Sequence, residues 1–237
     1  MSFKSFSPAV MAALLVAAPL STVHADDFAA NHADPDPWEG FNRVVFSFND
    51  TVDRFTLKPA ARAYQAVTPE SLNRGVSNVF GNLGEPKNLF NNLLQGKPHD
   101  AGVDLSRFLL NSTIGVLGVF DVATRMGLQR NDEDFGQTLG AWGVGSGPYL
   151  VLPLLGPSTL RDGASRVPEA AIGYSYRDQL DHVPTRNTSI AVDLVDTRAD
   201  LLKQERLVMG DRYTFVRNAW LQNREFKVRD GLVEDDF

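Results

Sequence analysis

The stretch from Gly140 to Asp162, GAWGVGSGPYLVLPLLGPSTLRD, decides how the rest of the chain is interpreted. From Phe135 to Leu160 the sequence contains no charged residue, yet six glycines and three prolines interrupt it. Helices and buried strands disfavour glycine and proline, whereas surface loops rarely carry so many leucines. The segment is therefore typical neither of a regular element nor of an ordinary loop. Its best strand candidate, PYLVLPLL, has Pro153 inside it.

Such a segment suits a protein at a membrane surface. In hydrocarbon, irregular backbone is tolerated only where it faces protein or a water-filled cavity. We therefore expect a re-entrant or cavity-lining element whose leucines and Val151 face acyl chains, with Pro148 and Pro153 preventing one rigid helix. The alternative is a buried core segment of an ordinary helical domain. At the end of the segment, Arg161 and Asp162 are predicted to mark the return of the chain to water, or to cap a helix that begins at residue 158.

The first amphipathic helix is predicted in DPWEGFNRVVFSFNDTVDRF, residues 36–55. Asp36 suits the N-cap, Pro37 the first helical position, and Glu39 completes a capping box. Apolar residues recur on one face at helical spacing, and asparagines and aspartates fall on the other. The pattern fits a helix that packs into a core as well as one whose apolar face meets lipid. The apolar positions are Phe41, Val44, Val45, Phe48, Val52 and Phe55.

The remaining sequence predicts further short helices and little strand. Their segments are 68–83, 85–98, 99–115, 187–205 and 211–231. Alternating strand patterns and internal repeats are scarce. The predicted fold class is all-α: a single domain of short amphipathic helices interrupted by glycine and proline.

The ends of the chain are predicted to differ from this domain. Lys4 precedes an apolar run of about a dozen residues, too short to span a bilayer, and a small-x-small pattern ends at Ala25. Residues 1–25 are therefore interpreted as a signal peptide, the alternative being an uncleaved anchor. A mobile lead-in occupies 26–35, the helical domain 36–230 and an acidic tail 231–237.

Composition and motifs give little support to catalysis. The net charge of −6 and the lack of a basic stripe argue against nucleic-acid binding. The chain contains no cysteine, and His32, His99 and His182 lie far apart in sequence, so no metal site is predicted. The GVGSG stretch at 143–147 matches neither a nucleophile elbow nor a phosphate-binding loop. We predict no enzyme activity and no cofactor.

One catalytic alternative remains at this point. Asp134 and Asp162 flank the uncharged segment, and a pair of acids could serve a periplasmic hydrolase acting on lipid or glycan. An acidic cluster such as NDED, residues 131–134, is more often a solvated loop.

Four motifs in order resemble the MlaA (VacJ) family, outer-membrane components of a phospholipid trafficking system in Gram-negative bacteria. The resemblance is strong over 36–162 and looser through Trp220. The motifs are DPWEGFNRVVFSFND, GNLGEPKNLFNNLLQGKP, RFLLNSTIGVLGVFDVA and FGQTLGAWGVGSGPYLVLPLLGPSTLRD. The resemblance implies helices arranged as a ring in the inner leaflet of the outer membrane, around an amphipathic channel.

The resemblance also implies a function and partners. Family members sit beside trimeric porins at the periplasmic face of the outer membrane. They take phospholipid misplaced in the outer leaflet and pass it to a periplasmic lipid carrier, which feeds an inner-membrane ABC transporter. We therefore expect a passive channel or chaperone that maintains lipid asymmetry, or alternatively a porin-associated adaptor without lipid transfer. Family members commonly carry a lipid on an N-terminal cysteine, which this chain lacks; its membrane seat would then rest on amphipathic helices and the porin.

Carried onto this sequence, the resemblance gives a candidate site. The predicted lipid channel and hinge comprise Phe41, Asn42, Gly143, Gly145, Gly147, Pro148, Tyr149, Leu150, Leu152, Leu154 and Leu155. Arg161 and Asp162 are predicted to form the polar rim of the channel.

Overall fold

The computed structural model describes residues 34–173, 175–205 and 208–231. The first element in this part of the chain is a continuous helical rod. Helix α1 spans Glu39–Val52, a π-helical turn spans Asp53–Leu57, and α2 spans Lys58–Val67. The residues from Pro35 onward form one compact unit. The predicted signal peptide lies outside the described residues, as do most of the lead-in and the acidic tail.

The other elements confirm a mostly helical fold and add one hairpin. Helices α3 and α4 pack closely against each other, α8 packs on α2, and α6 on α7. The bounds are α3 Glu70–Leu94, α4 Pro98–Thr113, α5 Val122–Arg125, α6 Phe135–Ala141, β1 Tyr149–Leu152, β2 Gly156–Thr159, α7 Leu160–Ile172, a 3-10 turn Tyr176–Gln179, α8 Val183–Gln204 and α9 Arg212–Val228.

The hairpin lies within the uncharged segment. Strands β1 and β2 are antiparallel, with Tyr149 opposite Thr159 and Leu152 opposite Gly156. Pro153 therefore lies in the turn and not inside a strand, which removes the objection to a strand at this place. Leu154, also in the turn, has a left-handed backbone with φ of 62°, a conformation that costs a non-glycine residue about 1–2 kcal/mol.

Helix α1 begins three residues later than the predicted cap. Its N-cap is Trp38, two residues after the predicted cap, and the Trp38 side chain makes no capping hydrogen bond. Asp36 is instead buried, where it accepts hydrogen bonds from Asn42 (2.8 Å) and from the Tyr213 hydroxyl and pairs with Arg217 at 3.0 Å. Burial raises the pKa of Asp36, but these hydrogen bonds outweigh it and lower the pKa below its ordinary value. The capping prediction is wrong because partners remote in sequence use the carboxylate.

Helix α3 joins the two segments predicted at 68–83 and 85–98. Pro86 lies inside it, although proline removes a helical hydrogen bond. The residues around Pro86 are held from outside the helix. Glu85 pairs with Arg107 of α4, and Asn88 binds the backbone before α6. These contacts hold a continuous helix where the local sequence predicts a break.

The interior of the protein is polar. Helix α3 buries asparagines and a glutamate, and α4 buries Asp104, Arg107 and Asn111. A small apolar cluster joins α1, β1 and α9. The buried polar residues of α3 are Asn82, Glu85, Asn88, Asn91 and Asn92, and the apolar cluster comprises Val45, Tyr149, Val151 and Tyr213.

The exterior, in contrast, is rich in large apolar side chains. On α1, Phe41, Val44 and Phe48 are 57%, 70% and 51% exposed, whereas Asn42 on the opposite face is fully buried. The interpretation of the whole stripe as core-facing is therefore wrong, although one of its members, Val45, is buried in the apolar cluster. Soluble proteins rarely expose large contiguous apolar patches. We call the following residues the apolar exterior: Phe41, Val44, Phe48, Phe55, Leu105, Leu109, Ile114, Val116, Leu117, Phe120, Leu154, Leu155 and Leu160.

The apolar exterior does not take the form of a membrane-crossing helix. Throughout the described ranges, every helix is too short or too polar to span a bilayer. The apolar residues instead form stripes on amphipathic helices and cluster in two tight turns, one at Leu154 in the hairpin and one after α4. In the turn after α4, Val116 and Leu117 have left-handed backbones and are exposed.

Candidate functional site

Two asparagines of α1 attach the hairpin to the helix. Asn42 Nδ2 donates to the Tyr149 carbonyl (3.1 Å), and its Oδ1 accepts from Val151 N (2.8 Å). Asn49 Nδ2 donates to the Leu152 carbonyl (2.9 Å), and its Oδ1 accepts from Leu154 N (2.8 Å). Each carboxamide thus binds one carbonyl and the N–H two residues further on, as a neighbouring parallel strand would. Helix α1 serves as an added edge for β1.

The spacing of these asparagines matches the strand. Seven helical residues rise about 10.5 Å, and three strand residues span about 10 Å. Asn88 of α3 repeats the pattern, because its Nδ2 donates to the Asn131 carbonyl (2.7 Å) and its Oδ1 accepts from Glu133 N (3.1 Å). We call Asn42, Asn49 and Asn88 the asparagine clips. They fix the backbone just before the uncharged segment and the hairpin within it.

The hairpin turns the residues of the predicted lipid channel from Tyr149 to Leu155 to two different sides. Strand alternation turns Tyr149 and Val151 inward, where both are buried beside Tyr213. The prediction that Val151 faces acyl chains is therefore wrong. Leu150 and Leu152 are half-buried, and the turn residues Leu154 and Leu155 are exposed.

The three predicted hinge glycines differ in what the backbone requires of them. Gly143 has φ of 85° and ends α6, with Gly143 N bonded to the Gly140 carbonyl and Val144 N to the Leu139 carbonyl, a Schellman motif. Gly147 has φ of 65°, and an added Cβ would lie 3.1 Å from Leu160 Cβ. Gly145 has neither restriction, since an added Cβ would meet nothing within 4 Å. The Pro148 carbonyl accepts from Leu160 N at 3.0 Å, which ties this segment to α7.

Replacing Gly147 with alanine is expected to destabilise the protein by about 1–2 kcal/mol, because the left-handed backbone disfavours a Cβ. Gly145→Ala is the matched control and is expected to change stability by less than about 0.5 kcal/mol. Thermal unfolding midpoints of both variants in the same detergent measure the difference. Equal midpoints would contradict the claim that the backbone at Gly147, unlike that at Gly145, requires glycine.

Arg161 and Asp162 do not form a solvent-facing rim. Both are buried, and Arg161 Nε lies 2.8 Å from Asp162 Oδ1. Helix α7 begins at Leu160, and its cap is Thr159, whose Oγ1 accepts from Asp162 N. The prediction of a return to water is wrong, and the predicted helix start falls two residues early because residue 158 still belongs to β2.

Arg224 of α9 joins this pair to the start of α6. It donates to Asp162 Oδ2 (2.7 Å) and forms two 2.6 Å bonds with Asp134. Burial raises the pKa of Asp134, but Arg224 outweighs it and holds the pKa well below its ordinary range. Asp134 also caps α6 by accepting from Gln137 N. Both acids are thus used structurally, which disfavours the hydrolase alternative.

A second buried ion pair joins α3 and α4. Arg107 Nε lies 2.7 Å from Glu85 Oε1, and both side chains are almost fully buried. Arg107 also donates to the Leu128 carbonyl (2.6 Å) and to Thr124 Oγ1 (2.9 Å). The sequence analysis did not identify this pair. The sequence feature that could have indicated it is a polar stripe at helical spacing on α3, formed by Glu85, Asn88 and Asn92.

A cavity of about 640 Å³ opens between α3, α7 and α8. Its walls combine cations, acids and a few apolar side chains, and the residues predicted as channel or rim do not line it. The lining residues with charged side chains are Lys87, Arg130, Arg166, Glu169, Arg177, Asp178, Asp193, Asp196 and Asp200. Within the described ranges, no three His, Cys, Asp or Glu residues are grouped so as to hold a metal ion.

Comparison with known proteins covers nearly all of this structure. A family model described as MlaA lipoprotein matches residues 34–227. The chain belongs to the MlaA lipoprotein family. The match begins just before α1 and ends in the last turn of α9, so the MlaA family region includes the hairpin, the asparagine clips and the cavity.

Relatives of the MlaA family resemble the chain over most of their own lengths. A protein of Haemophilus influenzae named intermembrane phospholipid transport system lipoprotein MlaA is 36% identical over 205 residues, covering 84% of this chain and 82% of its own. The Escherichia coli protein of the same name is 37% identical and covers 84% of this chain and 80% of its own.

A solved structure supports the fold assignment. It is described as the structural basis for maintenance of bacterial outer membrane lipid asymmetry. It matches with a TM-score of 0.71 and 37% sequence identity, over 81% of this chain and 98% of that chain. The helical MlaA fold is therefore shared.

Proposed function

We propose that the protein is a passive phospholipid channel of the outer membrane. It removes phospholipid misplaced in the outer leaflet and passes it towards the inner membrane, which maintains lipid asymmetry. The observation that carries this proposal is the reversed distribution of side chains, with a polar interior and cavity inside an apolar exterior. The names of the relatives, which refer to intermembrane phospholipid transport, support it.

The energetics of lipid transfer favour such a distribution. Moving a phospholipid with ~30 buried methylenes into water costs roughly 24 kcal/mol, at ~0.8 kcal/mol per methylene. A protein that gives the tails an apolar route and the headgroup a polar one avoids most of this cost. It lowers the barrier but cannot set the direction of transfer. Direction then comes from the affinity of a downstream carrier or from an ATPase.

The apolar exterior supplies the membrane seat in this proposal. Amphipathic helices bind with their axes in the plane of the interface and bury one face in the acyl region. The stripe of Phe41, Val44 and Phe48 on α1 and the exposed turns at Leu117 and Leu154 provide such a surface. The protein would thus lie in the inner leaflet at the periplasmic face, as a ring of helices around the polar channel.

The proposed partners follow from the route of the lipid. A trimeric porin beside the protein would give access to the outer leaflet, and a periplasmic lipid carrier would receive the lipid and deliver it to an inner-membrane ABC transporter. Transfer breaks no covalent bond, so this function requires neither a catalytic residue nor a cofactor.

Site-specific crosslinking tests the proposed function. A photoreactive residue at Phe48 or Leu154 is expected to crosslink phospholipid in cells, because both side chains are on the apolar exterior. His99, an exposed position beside Asp100, is the matched control and is expected to give little lipid adduct. Equal yields at all three positions would count against the membrane seat. Porin adducts without lipid adducts would favour the adaptor alternative.

A further inference from the structure

We propose that Lys87, Arg130 and Arg166 form a binding site for the phosphodiester of a glycerophospholipid headgroup. We call these three residues the basic wall of the cavity. The proposal rests on the proposed lipid transport and deepens it, because it names the part of the lipid that the cavity recognises. The chemistry is that of an oxyanion held by a lysine and two arginines.

The basic wall is assembled from three separate elements. Lys87 comes from α3, Arg130 from the loop before α6, and Arg166 from α7, yet all three line the same cavity of about 640 Å³. Cations that converge from distant positions in sequence repel one another. A ligand anion bound at this wall would reduce the repulsion.

Nearby carboxylates compensate the charges of the basic wall only at longer range, since Lys87 and Arg130 both help to lower the pKa of Asp132. Across residues 34–173, 175–205 and 208–231, the structure gives none of the three an ion pair or a side-chain hydrogen bond. Arg177, which lines the same cavity, differs because it lies 2.6 Å from Asp193 Oδ2. The donors of the basic wall are therefore available to a ligand, whereas those of Arg177 are already used.

Two glycines of α3 make room for Arg130. An added Cβ at Gly81 would lie 2.8 Å from Arg130 Nη1, and one at Gly84 would lie 3.6 Å from Nη2. Glycine in a helix interior lowers helix stability. The close approach of the guanidinium to the backbone of α3 gives a reason for Gly81 at this position. Arg130 thereby packs on the stretch of α3 that carries Lys87, about one helical turn after Gly84.

A second wall of the cavity, on α8, is acidic and limits where the phosphate can bind, and Glu169 on α7 adds a carboxylate about one turn from Arg166. Asp196 and Asp200 of α8 line the cavity. Asp196 is 3% exposed and accepts hydrogen bonds from the Tyr64 hydroxyl (3.0 Å) and Ser77 Oγ (2.7 Å). These carboxylates repel a phosphate and direct it towards the basic wall. They can also attract the ammonium group of a zwitterionic headgroup, so the two walls would orient it.

The size and the remaining lining of the cavity fit a headgroup with its glycerol. Small-molecule sites usually have volumes of about 300–1,000 Å³, and this cavity falls within that range. Phe80, Leu83 and Leu201 contribute apolar surface beside the charged walls. The first carbons of the acyl chains can contact these side chains while the phosphate stays on the basic wall.

Calorimetric titration of the mature full-length chain in a phosphate-free maltoside detergent tests the proposal. The probes are dihexanoylphosphatidylcholine, dihexanoylglycerol, which lacks the phosphate, and inorganic phosphate. The double variant Lys87→Gln/Arg130→Gln is expected to bind the phospholipid at least about tenfold more weakly, since it loses two charge-assisted contacts. Its binding of dihexanoylglycerol is expected to stay at the wild-type level. Arg166→Gln is expected to give a smaller loss in the same direction.

Arg125→Gln is the matched control. Arg125 is an exposed arginine that does not line this cavity and forms no ion pair with the described residues. Its replacement is expected to leave phospholipid affinity unchanged, and circular dichroism checks that all variants fold.

The outcomes separate this inference from the proposed function. If the wild type and the double variant bind the phospholipid with equal affinity, the headgroup site is overturned, but the proposed lipid transport is not affected. Wild-type protein that binds neither lipid probe would count against lipid transport itself. Inorganic phosphate binding as tightly as the phospholipid would assign the basic wall to a free anion and overturn the headgroup proposal.

Discussion

Replacing Arg107 with methionine is expected to lower the free energy of unfolding by about 3–5 kcal/mol, because it leaves a buried charge without its partner. Glu85 is fully buried, and Arg107 Nε is its cationic partner at 2.7 Å. The Leu128 carbonyl and Thr124 Oγ1 lose their donor in the same variant. The loss should appear as a large decrease in the thermal unfolding midpoint in detergent.

The same variant should become pH-dependent. Burial raises the pKa of Glu85, and Arg107 partly offsets this. Without Arg107 the pKa of Glu85 in the folded state rises further above its value in the unfolded chain. A raised carboxyl pKa favours folding at low pH, and this contribution is lost as pH rises through the folded-state pKa. The deficit of Arg107→Met relative to wild type should therefore shrink as pH is lowered.

A double variant provides the control for this prediction. Glu85→Leu/Arg107→Met removes both charges and is expected to be more stable than Arg107→Met alone, since replacing a whole buried pair by apolar residues is often nearly neutral. If the single and double variants unfold at the same midpoint at neutral pH, the uncompensated charge of Glu85 is not the source of the loss.

The second large effect is expected at the asparagine clips. Replacing Asn42 with leucine removes three hydrogen bonds, to Asp36, Tyr149 and Val151, and leaves their polar atoms buried. A buried group left without a partner costs about 1–3 kcal/mol, so a total loss of about 3 kcal/mol is expected. Hydrogen exchange of the Val151 amide should accelerate by about 100-fold, because each 1.4 kcal/mol corresponds to a factor of about ten.

Asn49 and Asn78 provide graded controls for Asn42. Asn49→Leu should destabilise less, by about 1–2 kcal/mol, because water can reach Leu154 N once the clip is lost. Asn78 is half-buried, but its bond to the Val119 carbonyl is exposed to water, so Asn78→Leu should change stability little. If exchange at Val151 is unchanged in Asn42→Leu, the clip does not hold the hairpin. Lipid crosslinking at Leu154 in Asn49→Leu would further show whether the clip positions the turn.

The sequence predicted where the helices lie better than which way they face. On α1 the spacing of Phe41, Val44 and Phe48 correctly gave one apolar face. Periodicity defines an axis of amphipathicity, but whether the apolar side points inward depends on the surrounding solvent. The equally periodic polar stripe of α3, with Glu85 and Asn88, carried the complementary information. Both stripes together indicate a polar core, which neither one indicates alone.

Errors in the site have a common physical cause. Asp36 is an acceptable helix cap by local rules, but its carboxylate accepts a hydrogen bond from the Tyr213 hydroxyl, 177 positions away. Pro153 argued against a strand because the turn that contains it could not be located from the sequence. Asn42 was included among the candidates, but its role in binding the hairpin backbone depends on a contact 107 residues away. The basic wall was missed for the same reason.

The polar core has a consequence for how the molecule reaches its destination. A newly made chain crossing an aqueous compartment gains little by collapsing, because most of its large apolar groups, such as Phe41, Leu117 and Leu154, would still touch water in the finished fold. With the membrane seat proposed above, such a chain would need an escort that shelters these groups during transit. Its maturation would then be timed by transfer to a lipid surface and not by the chain's own rate of folding.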